Sequence, residues 1–213
     1  MHALPRLIIV GAGGFGREVL AWAKQSLQYG REWNIKGFID DNGEALHGKN
    51  SPLPWLGPIQ SHRPASDEVF ICAVGIPSVK RRCSELLMAR GASFTRLVHR
   101  TAVIGDNVEM ADGVILCPFS VISANIRLGR GVAINLHSSV DHDASVDDWS
   151  QVNCHCDLTA AVEVGKEVFI GSSVAIIPGV RIGDGAYLGA GSVVLRDVPA
   201  GAKVYGVPAR RHE

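Results

Sequence analysis

His142 stands between Asp141 and Asp143 in the stretch LHSSVDHDAS (136–145), inside a region otherwise built of aliphatic and small residues. A histidine beside a carboxylate can move protons. The carboxylate accepts from one ring nitrogen, fixes the tautomer and leaves the other nitrogen as a general base. Asp143 is placed for that role and Asp141 competes for it; a surface histidine capping a turn is the alternative. A second signature lies near the N-terminus, where Gly11, Gly13 and Gly16 form G-x-G-x-x-G between an apolar run and a helix-forming segment. That context lets backbone N–H groups approach a phosphate at a helix N-terminus. Asp40, 24 residues after Gly16, ends the next strand-like run, where an acidic side chain can take a ribose hydroxyl. Asp41 reads as its solvated neighbour, and three glycines making only a tight turn is the competing reading.

Two kinds of element must position these groups. From Ile104 the chain divides into sixteen hexads without a slip, the first being IGDNVE and the last VLRDVP. All sixteen first positions are Ile, Leu, Val or Met, and all sixteen fifth positions are Ala, Cys, Ile, Ser or Val. A hexapeptide period is the signature of a parallel β-helix, one short strand and one turn per repeat. The fifth residue of one hexad and the first of the next are two apart, so both point into the core. Third and fourth residues fall at turns and face outward, His142 and Asp143 among them.

Residues before about Arg100 have another rhythm. Strands are expected at Arg6–Val10, Trp33–Asp40 and Val69–Val74, and helices at Arg17–Lys24 and Ser78–Arg90, the latter closed by Gly91. The proline-rich segment from Asn42 to Ser66 reads as a surface loop. This pattern is one mononucleotide-binding half, too short for the complete two-half dinucleotide fold. A nucleotide-sugar therefore fits better than a dinucleotide.

Composition narrows the partners. With 213 residues and 46% hydrophobic content the chain can bury a real core. Lys plus Arg equals Asp plus Glu at 21 each, so bulk charge recruits neither nucleic acid nor a membrane surface. The N-terminal apolar run stops at Gly11, too short for a membrane span. Five irregularly spaced cysteines suit reduced thiols in a cytoplasmic protein.

The repeats resemble the left-handed parallel β-helix of the hexapeptide acyltransferases, in which three hexads make one triangular coil and the chains form homotrimers. The left hand comes from the resemblance, since the general rule for parallel crossovers gives the opposite one. Taken with the glycine loop and the His-acidic pair, the chain resembles the sugar acetyltransferases grouped with sialic acid O-acetyltransferase and the bacillosamine and perosamine N-acetyltransferases. The implied fold is a small Rossmann-like α/β domain over 1–100, binding a nucleotide-sugar, followed by an all-β left-handed parallel β-helix over 101–213. The implied activity is acetyl-CoA-dependent acetylation of a sugar, with the active sites between subunits.

Carried onto this sequence, the resemblance makes His142 the general base, Asp143 its orienting carboxylate and Asn135 a residue that helps hold the acceptor. Residues 18 apart then stack, so Ala124 and Ala160 flank His142 and keep space beside the ring. Gly13, Gly14, Asp40 and Asp41 match the nucleotide-holding positions. The terminal GVPARR is shared with the family, and Lys203, Arg210 and Arg211 are candidates for the phosphates of CoA. Gly171, Gly189 and Ala190 are small residues on late coils, where a pantetheine arm can lie close to the backbone.

Phe15 stands where some relatives have histidine, and Gln151 where the bacillosamine enzymes have a second histidine. These departures leave the acceptor open, together with the loop at Gly75. An amino group on a UDP- or GDP-linked sugar is the first expectation, and a hydroxyl of a sialic acid or free sugar the second. A zinc enzyme like the β-helical carbonic anhydrases is a further alternative, resting on His137, His142, His155 and Cys154-His155-Cys156. Thr101 stands where that pattern wants histidine, so no metal is expected. His137 and His155, with Leu136 and Phe119, are expected at a subunit interface. A non-catalytic trimeric scaffold would not need the His142–Asp143 pair.

Overall fold

The computed structural model describes residues 3–212 and divides into two compact units, one ending at Arg100 and one beginning at Thr101. In the first unit, β1 (Arg6–Val10) is flanked by β2 (Asn34–Ile39) and β3 (Glu68–Cys72), with β4 (Ser93–Phe94) beyond β3. All pairings are parallel. Leu7 to Val10 are fully buried because an inner strand of such a sheet is covered on both faces, which is why this run is apolar at every position.

Helix α1 (Gly14–Ala23) starts three residues before the expected Arg17, because Gly13 in extended conformation serves as its N-cap. Helix α2 (Pro77–Met88) has proline in its first turn, and Gly91 at φ 90° follows its end. Cys83 and Leu87 of α2 pack with Ile8, Val10, Ile39 and Phe70 in one apolar cluster. The proline-rich segment does more than cross the surface. Phe38 donates its N–H to the Pro54 carbonyl at 3.0 Å and Leu56 donates to the Phe38 carbonyl at 2.7 Å, so part of it covers the free edge of β2.

The second unit is the parallel β-helix. Two-residue strands form three parallel ladders, pairing Arg127 with Ser145, Ala133 with Gln151 and Ser139 with Asp157, each step one coil of 18 residues. First positions are buried from Leu116 onward, and Ile104 and Met110 of the first coil are the less covered ones. Small polar residues at inward fifth positions are satisfied internally. The Ser138 hydroxyl donates to the Asn153 carbonyl at 2.7 Å, and Ser150 donates to the Gly165 carbonyl at 2.7 Å. Where the six-residue frame ends, Tyr187 pairs with Lys203, a step of 16 residues.

Every turn has the same backbone form. The fourth residue of each hexad from Asn107 to Gly191 has positive φ, glycine at five turns and Asn, Phe, His, Asp, Trp, Ala, Glu or Ser at the others. From Asn125 to Gly191 each of these residues donates its N–H to a carbonyl of the coil below it. Asp143 N–H donates to the Ala124 carbonyl at 3.0 Å, and Ala161 N–H to the His142 carbonyl at 2.9 Å. Stacked corners result, on which side chains 18 apart lie one above another. The outward expectation fails at several corners, at Gly113, Pro118 and Gly131 and most visibly at Trp149, a fourth-position residue that is only 5% exposed. Its ring folds over Gly131, where an added Cβ would lie 2.4 Å from it.

A non-glycine residue in the left-handed region costs roughly 1–2 kcal/mol, while glycine loses roughly 0.5–1 kcal/mol in backbone entropy. Ala161 is exposed at φ 57°, and Gly179 already occupies the next turn of its column. Ala161→Gly is therefore expected to stabilise the β-helix by roughly 0.5–1 kcal/mol, read as a rise of a few degrees in the thermal midpoint.

Candidate functional site

His142 occupies the third position of its turn, the outward corner that precedes the left-handed residue Asp143. Its Nδ1 lies 2.8 Å from Asp143 Oδ2, and both side chains are more than half exposed. With Asp143 ionised, Nδ1 carries the proton and donates it, and Nε2 presents its lone pair outward. Nε2 has no hydrogen-bond partner among the described residues. Asp141 makes no side-chain bond there, so the choice between the two aspartates falls to Asp143. The Asp143 carboxyl is held below the usual carboxylate range, first by His142 and then by a hydrogen bond from Asn125 Nδ2 at 3.0 Å. Asn125 Oδ1 in turn accepts from Asn107 Nδ2 at 3.1 Å. Ala124 and Ala160 occupy the same corner one coil to either side, and no side chain longer than a methyl group stands in those two places.

Asn135 is 6% exposed, and its Oδ1 accepts the Leu136 N–H at 2.9 Å. It belongs to the turn preceding that of His142, where it stabilises the turn from inside. Gly171 and Gly189 have packing reasons of their own. A Cβ on Gly171 would lie 2.6 Å from Ala190 N, and one on Gly189 would lie 2.1 Å from the Tyr205 ring. Ala190 is exposed at the adjoining turn. At the C-terminal end, Arg210–Arg211 forms a short antiparallel strand with Val204–Tyr205. Arg196, Arg210 and Arg211, with Asp197, line a cleft of about 420 Å³ in which cationic groups outnumber the one carboxylate. Lys203 is exposed outside the lining of that cleft.

In the first unit the glycines divide by role. Gly16 lies against the loop, where a Cβ would sit 2.0 Å from the Gly11 carbonyl oxygen, and Gly11 itself has φ 96°. Gly13 and Gly14 are exposed with open space around both, and so is the space around half-buried Gly75 after β3. These open positions follow the carboxyl ends of β1 and β3, where ligands of such sheets bind. Asp40 is engaged in a way its position in the sequence did not reveal. Oδ2 accepts the Ala12 N–H at 2.7 Å and Oδ1 the Asn42 N–H at 2.8 Å, so the carboxylate ties the glycine loop to the end of β2. Asp41 Oδ1 accepts the Gln60 N–H at 3.0 Å. Phe15 packs edge-on to Trp22 with ring centroids 6.2 Å apart.

The histidines considered as metal ligands are stacked. Phe119, His137 and His155 form a ladder with centroids 5.0 and 5.1 Å apart, and the two imidazoles are within 3° of parallel. Cys156 is buried, and burial pushes its thiol up to about 11. Gln151 is buried at 1% exposure. Among the described residues no helix is long and apolar enough to cross a membrane. Sequence reasoning misses Asn125 and Arg196; Asn125 sits 18 residues before Asp143, and that stacking was the available signal.

Residues 6–87 match the family model described as the PglD N-terminal domain, and residues 161–196 match the bacterial transferase hexapeptide (six repeats). The chain is 30% identical over 217 residues to GDP-perosamine N-acetyltransferase of Escherichia coli O157:H7, covering 95% of this chain and 94% of that protein. It is similar to the acetyltransferase domain of PglB from Neisseria gonorrhoeae FA1090 in complex with acetyl coenzyme A (TM-score 0.88, 28% identity, 99% of this chain and 100% of that one). It is also similar to PerB from Caulobacter crescentus in complex with CoA and GDP-perosamine (TM-score 0.88, 25% identity, 99% of each chain).

The glycines of the loop differ in the room each leaves for a side chain. Gly16→Ala forces a Cβ into a backbone carbonyl and is expected to cost roughly 3 kcal/mol or more, read by thermal or denaturant unfolding. Gly13→Ala, with no atom within 4 Å of the new Cβ, is expected to cost no more than the N-cap preference, a few degrees in the unfolding midpoint, while weakening binding of a nucleotide-sugar measured by calorimetry.

Proposed function

Because the chain belongs to the hexapeptide-repeat sugar acetyltransferases, we propose that it moves the acetyl group of acetyl-CoA onto the amino group of a nucleotide-linked amino sugar, with His142 as general base and Asp143 as the carboxylate that orients it. The observation that carries the assignment is the 2.8 Å contact between His142 Nδ1 and Asp143 Oδ2, which leaves Nε2 as an exposed base. The acceptor nitrogen attacks the thioester carbonyl while Nε2 takes its proton. The tetrahedral intermediate then collapses to the amide, the C–S bond breaks, and the imidazolium returns the proton to the departing thiolate.

The glycine loop supplies the nucleotide end of the acceptor site. Gly13 and Gly14 leave room for phosphate beside the first N–H groups of α1, and Asp40 holds the loop in that form through Ala12. Asp41, Phe15 and Gly75 border the same end and set the room for the sugar. Acetyl-CoA lies along the β-helix with its phosphates near the cleft of Arg196, Arg210 and Arg211. Asn135 acts through the shape of its turn. A GDP-linked amino sugar is the first acceptor to test, since of the proteins similar over nearly the whole chain one is named for GDP-perosamine and another is in complex with it.

The catalytic unit is a homotrimer in this reading. Val103, Val121 and Phe119 are 58%, 41% and 54% exposed, an apolar cluster that a neighbouring chain would cover. Sedimentation equilibrium is expected to return three times the 22.7 kDa chain mass.

Thiol release from acetyl-CoA against GDP-, UDP- and CMP-linked amino and hydroxy sugars tests the chemistry. Turnover is expected with an amino sugar and a fall of at least about 10²-fold in His142→Ala, with fold and assembly unchanged. A variant that keeps more than about a tenth of the rate would remove His142 as the base.

A further inference from the structure

The corner that carries His142 and Asp143 continues downward through two asparagines, Asn125 and Asn107, one and two coils below. All three fourth-position residues have left-handed backbone, with φ 55° at Asn107, 58° at Asn125 and 62° at Asp143, so their side chains leave the corner in the same direction. They are joined head to tail. Asn107 Nδ2 donates to Asn125 Oδ1 at 3.1 Å, Asn125 Nδ2 donates to Asp143 Oδ1 at 3.0 Å, and Asp143 Oδ2 lies 2.8 Å from His142 Nδ1.

The chemistry of each group fixes the direction of the chain. An ionised carboxylate only accepts, so Asn125 must turn its NH₂ toward Asp143; its carbonyl oxygen then faces Asn107, which must donate. With one oxygen held by Asn125, the Asp143 side chain keeps the other on His142. An exposed carboxylate without that anchor rotates about its last bond, and the imidazole is then free to exchange tautomers.

We infer that Asn125 is a positioning residue for the His142–Asp143 pair: its amide, itself oriented by Asn107, pins Asp143 so that the imidazole presents Nε2 as the base. The inference rests on the base role of His142 proposed above. The lowered Asp143 carboxyl has the Asn125 bond as its second cause, after His142. No other titratable side chain faces Asp143 from the adjoining turns, which read Ser123-Ala124-Asn125-Ile126 below and Thr159-Ala160-Ala161-Val162 above; Asp141 is its nearest titratable neighbour along the chain apart from His142.

The test separates backbone from amide. Asn125→Gly keeps the left-handed turn, since glycine adopts it freely, and removes only the side chain. In steady-state assays with acetyl-CoA and the nucleotide-linked amino sugar, kcat is expected to fall about 5- to 30-fold with KM for acetyl-CoA unchanged, a smaller loss than in His142→Ala. Asn125→Asp places a second carboxylate against Asp143, so the acidic limb of the kcat profile is expected to move to higher pH. A third readout needs no turnover: ¹⁵N spectra of the neutral His142 ring are expected to show mainly the Nδ1–H tautomer in the wild type and a mixture in Asn125→Gly. Wild-type kcat or an unchanged tautomer in Asn125→Gly, with His142→Ala inactive, overturns the inference alone. Retained activity in His142→Ala overturns the base assignment instead.

Discussion

Everything in the second unit depends on the register between successive coils. Parallel ladders join residues 18 apart on three faces, and at each corner from Asn125 to Gly191 the N–H of the left-handed residue donates to the carbonyl of the turn below. These bonds leave no freedom to slip, because a shift of one residue would turn the whole aliphatic column outward. The register therefore builds chemical columns as well as structural ones. Asparagine stacks on asparagine and aspartate on asparagine, so the carboxylate beside His142 meets an amide one coil below.

The same register carries a cost that is distributed unevenly. Glycine and asparagine tolerate the left-handed corner, and the early and late coils use them at Asn107, Gly113, Gly179, Gly185 and Gly191. From His137 through Ser173 every corner residue is something else, Asp143 among them. Apart from Ala161, these residues accept an unfavourable backbone form and hold a functional-length side chain at a defined corner. His137 and His155 use the arrangement to stack on Phe119, Trp149 to cover Gly131, and Asp143 to meet His142.

In the first unit the end that carries the glycine loop is organised by backbone. Gly16 brings α1 against the loop after β1, and the Asp40 carboxylate receives two backbone N–H groups that would otherwise be loose. An acidic residue at this place in the sequence suggests contact with a ribose, yet its side chain is engaged inside the protein. The spacing of Gly11, Gly13, Gly16 and Asp40 is the same for either use. The Ala12 and Asn42 N–H groups take one bond on each oxygen, and each oxygen keeps a second acceptor site.

By itself the sequence determined the two architectures and pointed to most of the candidate groups. A six-residue period admits one kind of core, and a buried four-residue aliphatic run before a glycine loop admits a central strand and a helix start. It also placed His142 beside a carboxylate. The tertiary structure decided which carboxylate answers it, that Asn125 stands beneath the pair, that Arg196 joins Arg210 and Arg211, that Trp149 turns inward, and that Gly171 and Gly189 are first of all packing residues. Most of these depend on contacts between residues distant along the chain, and the choice between the two aspartates depends on the direction in which a side chain leaves a left-handed corner. A periodic pattern specifies which residues face the core, but not which partner a side chain finds one coil away.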